Sequence, residues 1–177
     1  MSNWFECKVK FQKTIADGES KLVTEVYLVD ALSFTEAEGR INKELEPYIS
    51  GEFTVTNIKI AKIMDLLPNE GGDRWFRCKV AFIRIDEERG IERRSNSTML
   101  VQASNVKEAY EFLDKDLKTT MNDYEIAAVQ ESPIMDVFPY FSGEGKAEIP
   151  VKDESITYTA ASFEDDTENE SQEDEEQ

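Results

Sequence analysis

Residues 4–11, WFECKVKF, return at residues 75–82 as WFRCKVAF. Six of the eight residues are identical, and the similarity runs on at an offset of 71 or 72. Leu28-Val29-Asp30-Ala31 meets Leu100-Val101-Gln102-Ala103, Phe53 meets Tyr124, and Ile63-Met64-Asp65 meets Ile134-Met135-Asp136. A whole supersecondary unit is therefore used twice, over about residues 3–67 and 74–138.

The repeated stretch alternates. Phe5, Cys7, Val9 and Phe11 point one way, and Trp4, Glu6, Lys8 and Lys10 the other. Period two is the signature of a half-buried strand. Asp17-Gly18 then marks a hairpin turn, and the return strand runs over about Leu22–Ala31. Ser33 with Glu36, and Asn105 with Glu108, have the spacing of a helix N-terminal capping box. Phe34, Ala37, Ile41, Leu45 and Tyr48 follow at helical spacing, with Gly51 as a stop. Val106, Ala109, Leu113, Leu117 and Met121 do the same in the second unit. FTVTNIKIAKI and YEIAAVQE read as third strands.

The predicted fold is α+β: tandem duplicated ββαβ units forming a pseudo-twofold domain, with about six mainly antiparallel strands and two helices. The first unit is placed at 1–67 and the second at 74–140, joined by a turn-rich linker at 68–73. A ββαβ unit of this size is marginal alone, so two copies are expected to share a core. A flexible extension is placed at 141–163.

Residues 164–177, EDDTENESQEDEEQ, hold nine acids, no base and no apolar residue. Such a segment buries too little surface to offset its ordering entropy and is expected to be disordered. It carries half of the net charge of −18, leaving 20 basic and 29 acidic residues in 1–163. No stretch has the roughly 20 apolar residues of a membrane span, and the N-terminus lacks a signal pattern. A cytoplasmic protein with no membrane association is expected.

The chain has no histidine, which removes the commonest general base and metal ligand. It has no Gly-rich phosphate loop and no nucleophile beside a base. No catalytic residue, metal site or cofactor is predicted, and an enzyme is disfavoured. Cys7 and Cys78 read as small core residues, with a redox pair across the pseudo-dyad as the sharper alternative. Asp65 and Asp136 read as strand-end caps rather than a divalent-ion pair.

The face carrying Trp4 and Trp75 also carries Lys8, Lys10, Arg77 and Lys79, and the second hairpin adds Arg93 and Arg94. Aromatic platforms with flanking cations hold single-stranded DNA or RNA by stacking and phosphate pairing. These eight residues form the expected nucleic-acid surface; the other reading of the same pattern is that the tryptophans cover a second layer and the lysines are simply solvated. Glu164, Asp165, Asp166, Glu173, Asp174, Glu175 and Glu176 would regulate it or recruit partners. The layout is similar to phage-type single-stranded DNA-binding proteins. It departs from them in ending Glu-Glu-Gln rather than in an aromatic residue, and in not reading as an OB-fold barrel. The alternative is an acidic adaptor or inhibitor that imitates nucleic acid and binds a basic protein.

WFECKVKF, SFTEAE (33–38), ISGEFTVTNIK (49–59), DRWFRCKVAF (73–82) and PIMDVFP (133–139) together resemble an uncharacterised domain-of-unknown-function family (4494) found in Bacteroidetes and their phages. The resemblance covers about residues 3–140. It implies a bacterial or phage source and a cytoplasmic setting, and it brings no activity with it.

Overall fold

The computed structural model describes residues 3–140. Their elements run β1 (Asn3–Thr14), β2 (Ser20–Ala31), α1 (Phe34–Leu45), β3 (Phe53–Ala61) and β4 (Asp65–Leu67). They continue with β5 (Arg74–Asp86), β6 (Ile91–Ala103), α2 (Val106–Leu117), β7 (Asp123–Glu131) and β8 (Ile134–Phe138). The fold is α+β and mainly antiparallel, with eight strands among the described residues in place of the six expected.

Each repeated strand is internal to a sheet. β1 lies between β2 and β3, and β5 between β6 and β7, all antiparallel. The registers are equivalent down to a shared irregularity between Lys8 and Val9 and between Lys79 and Val80. The two additional strands are exchanged. β4 follows the first unit but pairs parallel with β6, and β8 follows the second but pairs parallel with β2. The sheet orders are therefore β3-β1-β2-β8 and β4-β6-β5-β7. Each unit contributes an edge strand to the other's sheet, so the units are interlocked. The expectation that Asp65 and Asp136 end third strands is corrected accordingly: each sits on a short separate strand after a crossing.

Alternation places the apolar face of each sheet under its own helix. Phe5, Cys7 and Val9 pack with Ala37, Ile41 and Leu45, and Phe76, Cys78 and Val80 pack with Ala109, Leu113 and Leu117. The opposite faces also meet. Val26, Leu28, Trp75, Leu100 and Ile134 form a third buried cluster drawn from both sheets, with half-buried Trp4 packed against it. The layers are helix, sheet, sheet, helix.

The capping boxes form as the spacing predicts. Glu36 N–H donates to Ser33 Oγ at 3.1 Å, and Glu108 N–H donates to Asn105 Oδ1 at 2.9 Å. The acid side chains reach back one residue further than the usual box, accepting from the N–H groups of Leu32 and Ser104. Both helices stop before the expected last residue of their apolar face. Tyr48 and Met121 lie beyond Leu45 and Leu117 and are exposed, and Gly51, at φ 108°, turns the chain into β3 rather than ending α1. Among the described residues no helix is long and apolar enough to cross a membrane.

The 68–73 linker is held firmly. Gln102 Oε1 accepts from Asn69 N–H at 3.1 Å, and Gln102 Nε2 donates to Gly72 O at 3.0 Å. A Cβ on Gly72 would lie 2.5 Å from Ala103 N, a backbone atom that cannot swing aside. Gly72→Ala is therefore expected to cost about 1–3 kcal/mol, as overpacking does, read as a lowered urea midpoint. Gly39→Ala is the control, because nothing lies within 4 Å of a Cβ there.

Candidate functional site

Glu6 and Arg77 occupy the same place in the two copies of the repeat, 71 residues apart, and they touch. Arg77 Nη2 donates to Glu6 Oε2 at 3.1 Å, while Lys59, opposite Glu6 on β3, reaches Oε1 at 2.9 Å. Glu6 is 5% exposed and is the one buried charged residue among those described. Burial pushes its pKa up, but Lys59 and Arg77 together outweigh that, and the net shift is downward. Two like charges meeting here would repel. One copy carrying Glu and the other Arg turns the contact into a bond between the sheets.

This bond lines a cleft of about 260 Å³. Its wall includes Ala61, Lys62 and Ile63, where the chain leaves the first sheet for the second, and Thr98 of β6. Met64 N–H donates to Thr98 O at 2.7 Å and fixes that crossing. The cleft carries Lys59, Lys62 and Arg77 against a single carboxylate, Glu6.

The lysines continue along the same face. Glu6, Lys8 and Lys10 alternate on β1, with Asn57 and Thr54 opposite Lys8 and Lys10 on β3. Lys8 and Lys10 are exposed and make no ion pair among the described residues. Strand geometry sets their backbones about 6.7 Å apart. On this face of β1 and β3, Glu6 is the one acid.

The other expected site residues are placed differently. Trp75 is 6% exposed inside the inter-sheet cluster, and Trp4 packs at its margin, so the expected open aromatic platform is corrected to core. Arg77 is held by Glu6. Arg93 pairs with Asp86 at 3.3 Å, and Arg94 pairs with Glu92 and Glu125, each at 3.1 Å. These arginines neutralise acids of their own hairpin and of β7. Lys79 is exposed but stands on the second sheet, with Thr98 and Ala128 as cross-strand neighbours. Glu164, Asp165, Asp166, Glu173, Asp174, Glu175 and Glu176 lie outside the described residues.

Sequence reasoning missed Lys59 and Lys62. The pairing of β3 with β1 brings Lys59 beside Glu6, and no local pattern announces that. A usable signal did exist at Glu6 and Arg77: opposite charges at equivalent positions of a twofold repeat suit a contact on the axis.

Cys7 and Cys78 are fully buried, each in the core beneath its own helix, so the redox-pair alternative is corrected: the thiols do not meet. Burial, with the nearby Glu6 charge, pushes Cys7 up to about 12, and burial pushes Cys78 up to about 11. Neither thiol is activated as a nucleophile. Asp65 and Asp136 each accept from the N–H of the next residue at 2.8 Å and sit on different sheets. No cluster of three metal-ligating side chains occurs among the described residues.

A larger groove of about 390 Å³ lies near Tyr27 and Tyr48. Its one cation, Lys13, is paired with Glu25 at 3.0 Å.

The chain belongs to a family described as a domain of unknown function, DUF4494, whose family model matches residues 3–140. No curated protein and no solved structure matches it.

Proposed function

We propose that this member of the DUF4494 family is a cytoplasmic, non-enzymatic binding protein that holds single-stranded nucleic acid on the lysine face of its first sheet. The observation that carries this reading is an asymmetry between equivalent positions. Lys8 has a counterpart in Lys79, but Lys10 corresponds to Ala81, Lys59 to Gln130, and Thr54 to Glu125. The second sheet shows that the fold does not need cations at the Lys10 and Lys59 positions. The first sheet has them in a protein of net charge −18.

That net charge opposes polyanion binding at long range. Salt at about 0.1 M screens it beyond roughly 10 Å, whereas a phosphate in contact with Lys8 or Lys10 sits inside that distance. With Trp75 in the core, stacking adds little, and phosphate pairing carries the affinity. Binding is then sequence-tolerant and strongly salt-dependent. The nine acids of residues 164–177 compete for the same lysines, and their deletion tightens binding.

Fluorescence anisotropy of the full chain with a labelled oligothymidylate of about 12 nucleotides tests this. Three or four phosphate contacts predict a log–log salt slope of about −2 to −3, a loss of roughly 20- to 50-fold between 50 and 200 mM salt. Lys8→Gln with Lys10→Gln removes about 1.4 from the slope, while Lys107→Gln with Lys115→Gln on α2 leaves it unchanged. Equal binding by both double variants contradicts the assignment. The reading of this chain as an acidic adaptor rests on its net charge and predicts no oligonucleotide binding at any salt, with capture of a basic protein instead.

A further inference from the structure

The lysine face leads into the inter-sheet cleft, and Lys59 belongs to both. The cleft has its own chemistry. Glu6 is already engaged by Lys59 and Arg77, which hold their cationic groups at its edge. Lys62 brings a third cation, without an ion-pair partner among the described residues, and Thr98 also lines the cleft. Counting Glu6, the lining keeps an excess of two positive charges.

The other half of the molecule supplies an internal comparison. At the equivalent crossing, Lys59, Ala61, Lys62 and Thr98 become Gln130, Ser132, Pro133 and Val26. Glu6 and Arg77 exchange places. Crossing between the sheets therefore requires neither lysine. The basic set is confined to one of two geometrically matched positions, where it joins the lysine face.

We infer that the cleft lined by Lys59, Lys62, Arg77 and Thr98 is a subsite for a terminal phosphate monoester of the bound strand. This rests on the binding reading above. An internal phosphodiester carries one negative charge and is flanked by nucleotides on both sides. A terminal monoester carries up to two charges near neutral pH and has no nucleotide on its far side, so it can settle into the recess at the end of the lysine track with more of its oxygens facing the cations. The two excess positive charges match that dianion. Lys59 and Arg77 are pre-positioned by Glu6, so little ordering is left for the ligand to impose. Arg77 supplies planar N–H donors suited to phosphate oxygens.

Four oligothymidylates of one length separate the possibilities: 5′-phosphorylated, 3′-phosphorylated, phosphorylated at both ends, and bare. The full chain is titrated with each by anisotropy at constant ionic strength. One or both terminal phosphates are expected to tighten binding about tenfold over the bare strand, and the two singly phosphorylated strands report which end enters. Lys62→Gln is the diagnostic variant, because Lys62 is exposed and makes no ion pair among the described residues. It is expected to erase the difference while leaving the bare strand bound as before. Inorganic phosphate should compete with the phosphorylated strand more strongly than chloride of equal ionic strength.

Equal affinity for all four strands overturns the subsite and leaves the lysine face intact. A tenfold preference that survives Lys62→Gln also overturns it. Binding of no strand overturns the parent reading together with this one.

Discussion

Trp75→Ala is expected to lower the unfolding free energy by about 3–5 kcal/mol, the cost of removing a buried Trp and leaving a cavity. The side chain is 6% exposed and packs among Val26, Leu28, Leu100 and Ile134, residues drawn from both sheets. The loss is large against a total domain stability of about 5–15 kcal/mol. Trp4 is half-buried at the edge of the same cluster, and its truncation should cost roughly half as much. Urea unfolding of the two variants checks both values. A Trp75→Ala protein of unchanged stability that had lost oligonucleotide binding would return Trp75 to the surface and overturn the inter-sheet core.

Arg77→Glu has the next largest expected effect, about 2–4 kcal/mol, because it sets a second carboxylate against the buried Glu6; the partial exposure of Arg77 and the remaining Lys59 contact keep it below the cost of breaking a fully buried pair. Arg77→Leu should cost less. The Arg77 side chain is 37% exposed, and Lys59 still pairs with Glu6. Lys59 is 54% exposed, and Lys59→Gln falls in the range of surface pairs, about 0–1 kcal/mol.

The same pair sets an acid limit. The folded-state pKa of Glu6 is depressed below its ordinary value of 4.5. Its contribution to stability is therefore fully present above pH 4.5 and is lost as pH falls through the lower folded value. Arg77→Leu weakens the depression, so its stability falls less between pH 5 and pH 3 than that of the parent protein. Denaturant midpoints across that interval measure the difference. Parallel pH curves would contradict the assignment of Glu6 to this bond.

The strands and helices were legible because each carries a local signal. Alternation over 4–11 and 75–82 located the central strands, and Ser33/Glu36 and Asn105/Glu108 located the helix starts. Period two shows which residues share a face, but not that the second face is also covered. Cations alternate with Trp4 and Trp75, a pattern that suits an open platform and a covered second layer alike. In the fold, the Trp75 end of β5 is buried between sheets, while Lys8 and Lys10 lie on an uncovered part of β1. Burial changes along a strand as well as across it.

β4 and β8 escaped because they have three and five residues and earn their place by long-range parallel pairing. Loop closure over such separations leaves no local trace. Of the candidate site, Lys8 and Lys10 were visible, and Lys59 and Lys62 were not. Arg93 and Arg94 looked cationic in sequence, but the partners that neutralise them include Glu125, a residue 31 positions away from Arg94.

Lysine-reactivity footprinting of the full chain with and without oligothymidylate tests the central claim most directly, because it reads individual side chains without altering them. The account predicts that Lys8, Lys10 and Lys59 lose reactivity on binding, while Lys43 on α1 and Lys107 and Lys115 on α2 keep theirs. Unchanged reactivity along β1 and β3, or protection confined to the helices, would contradict it.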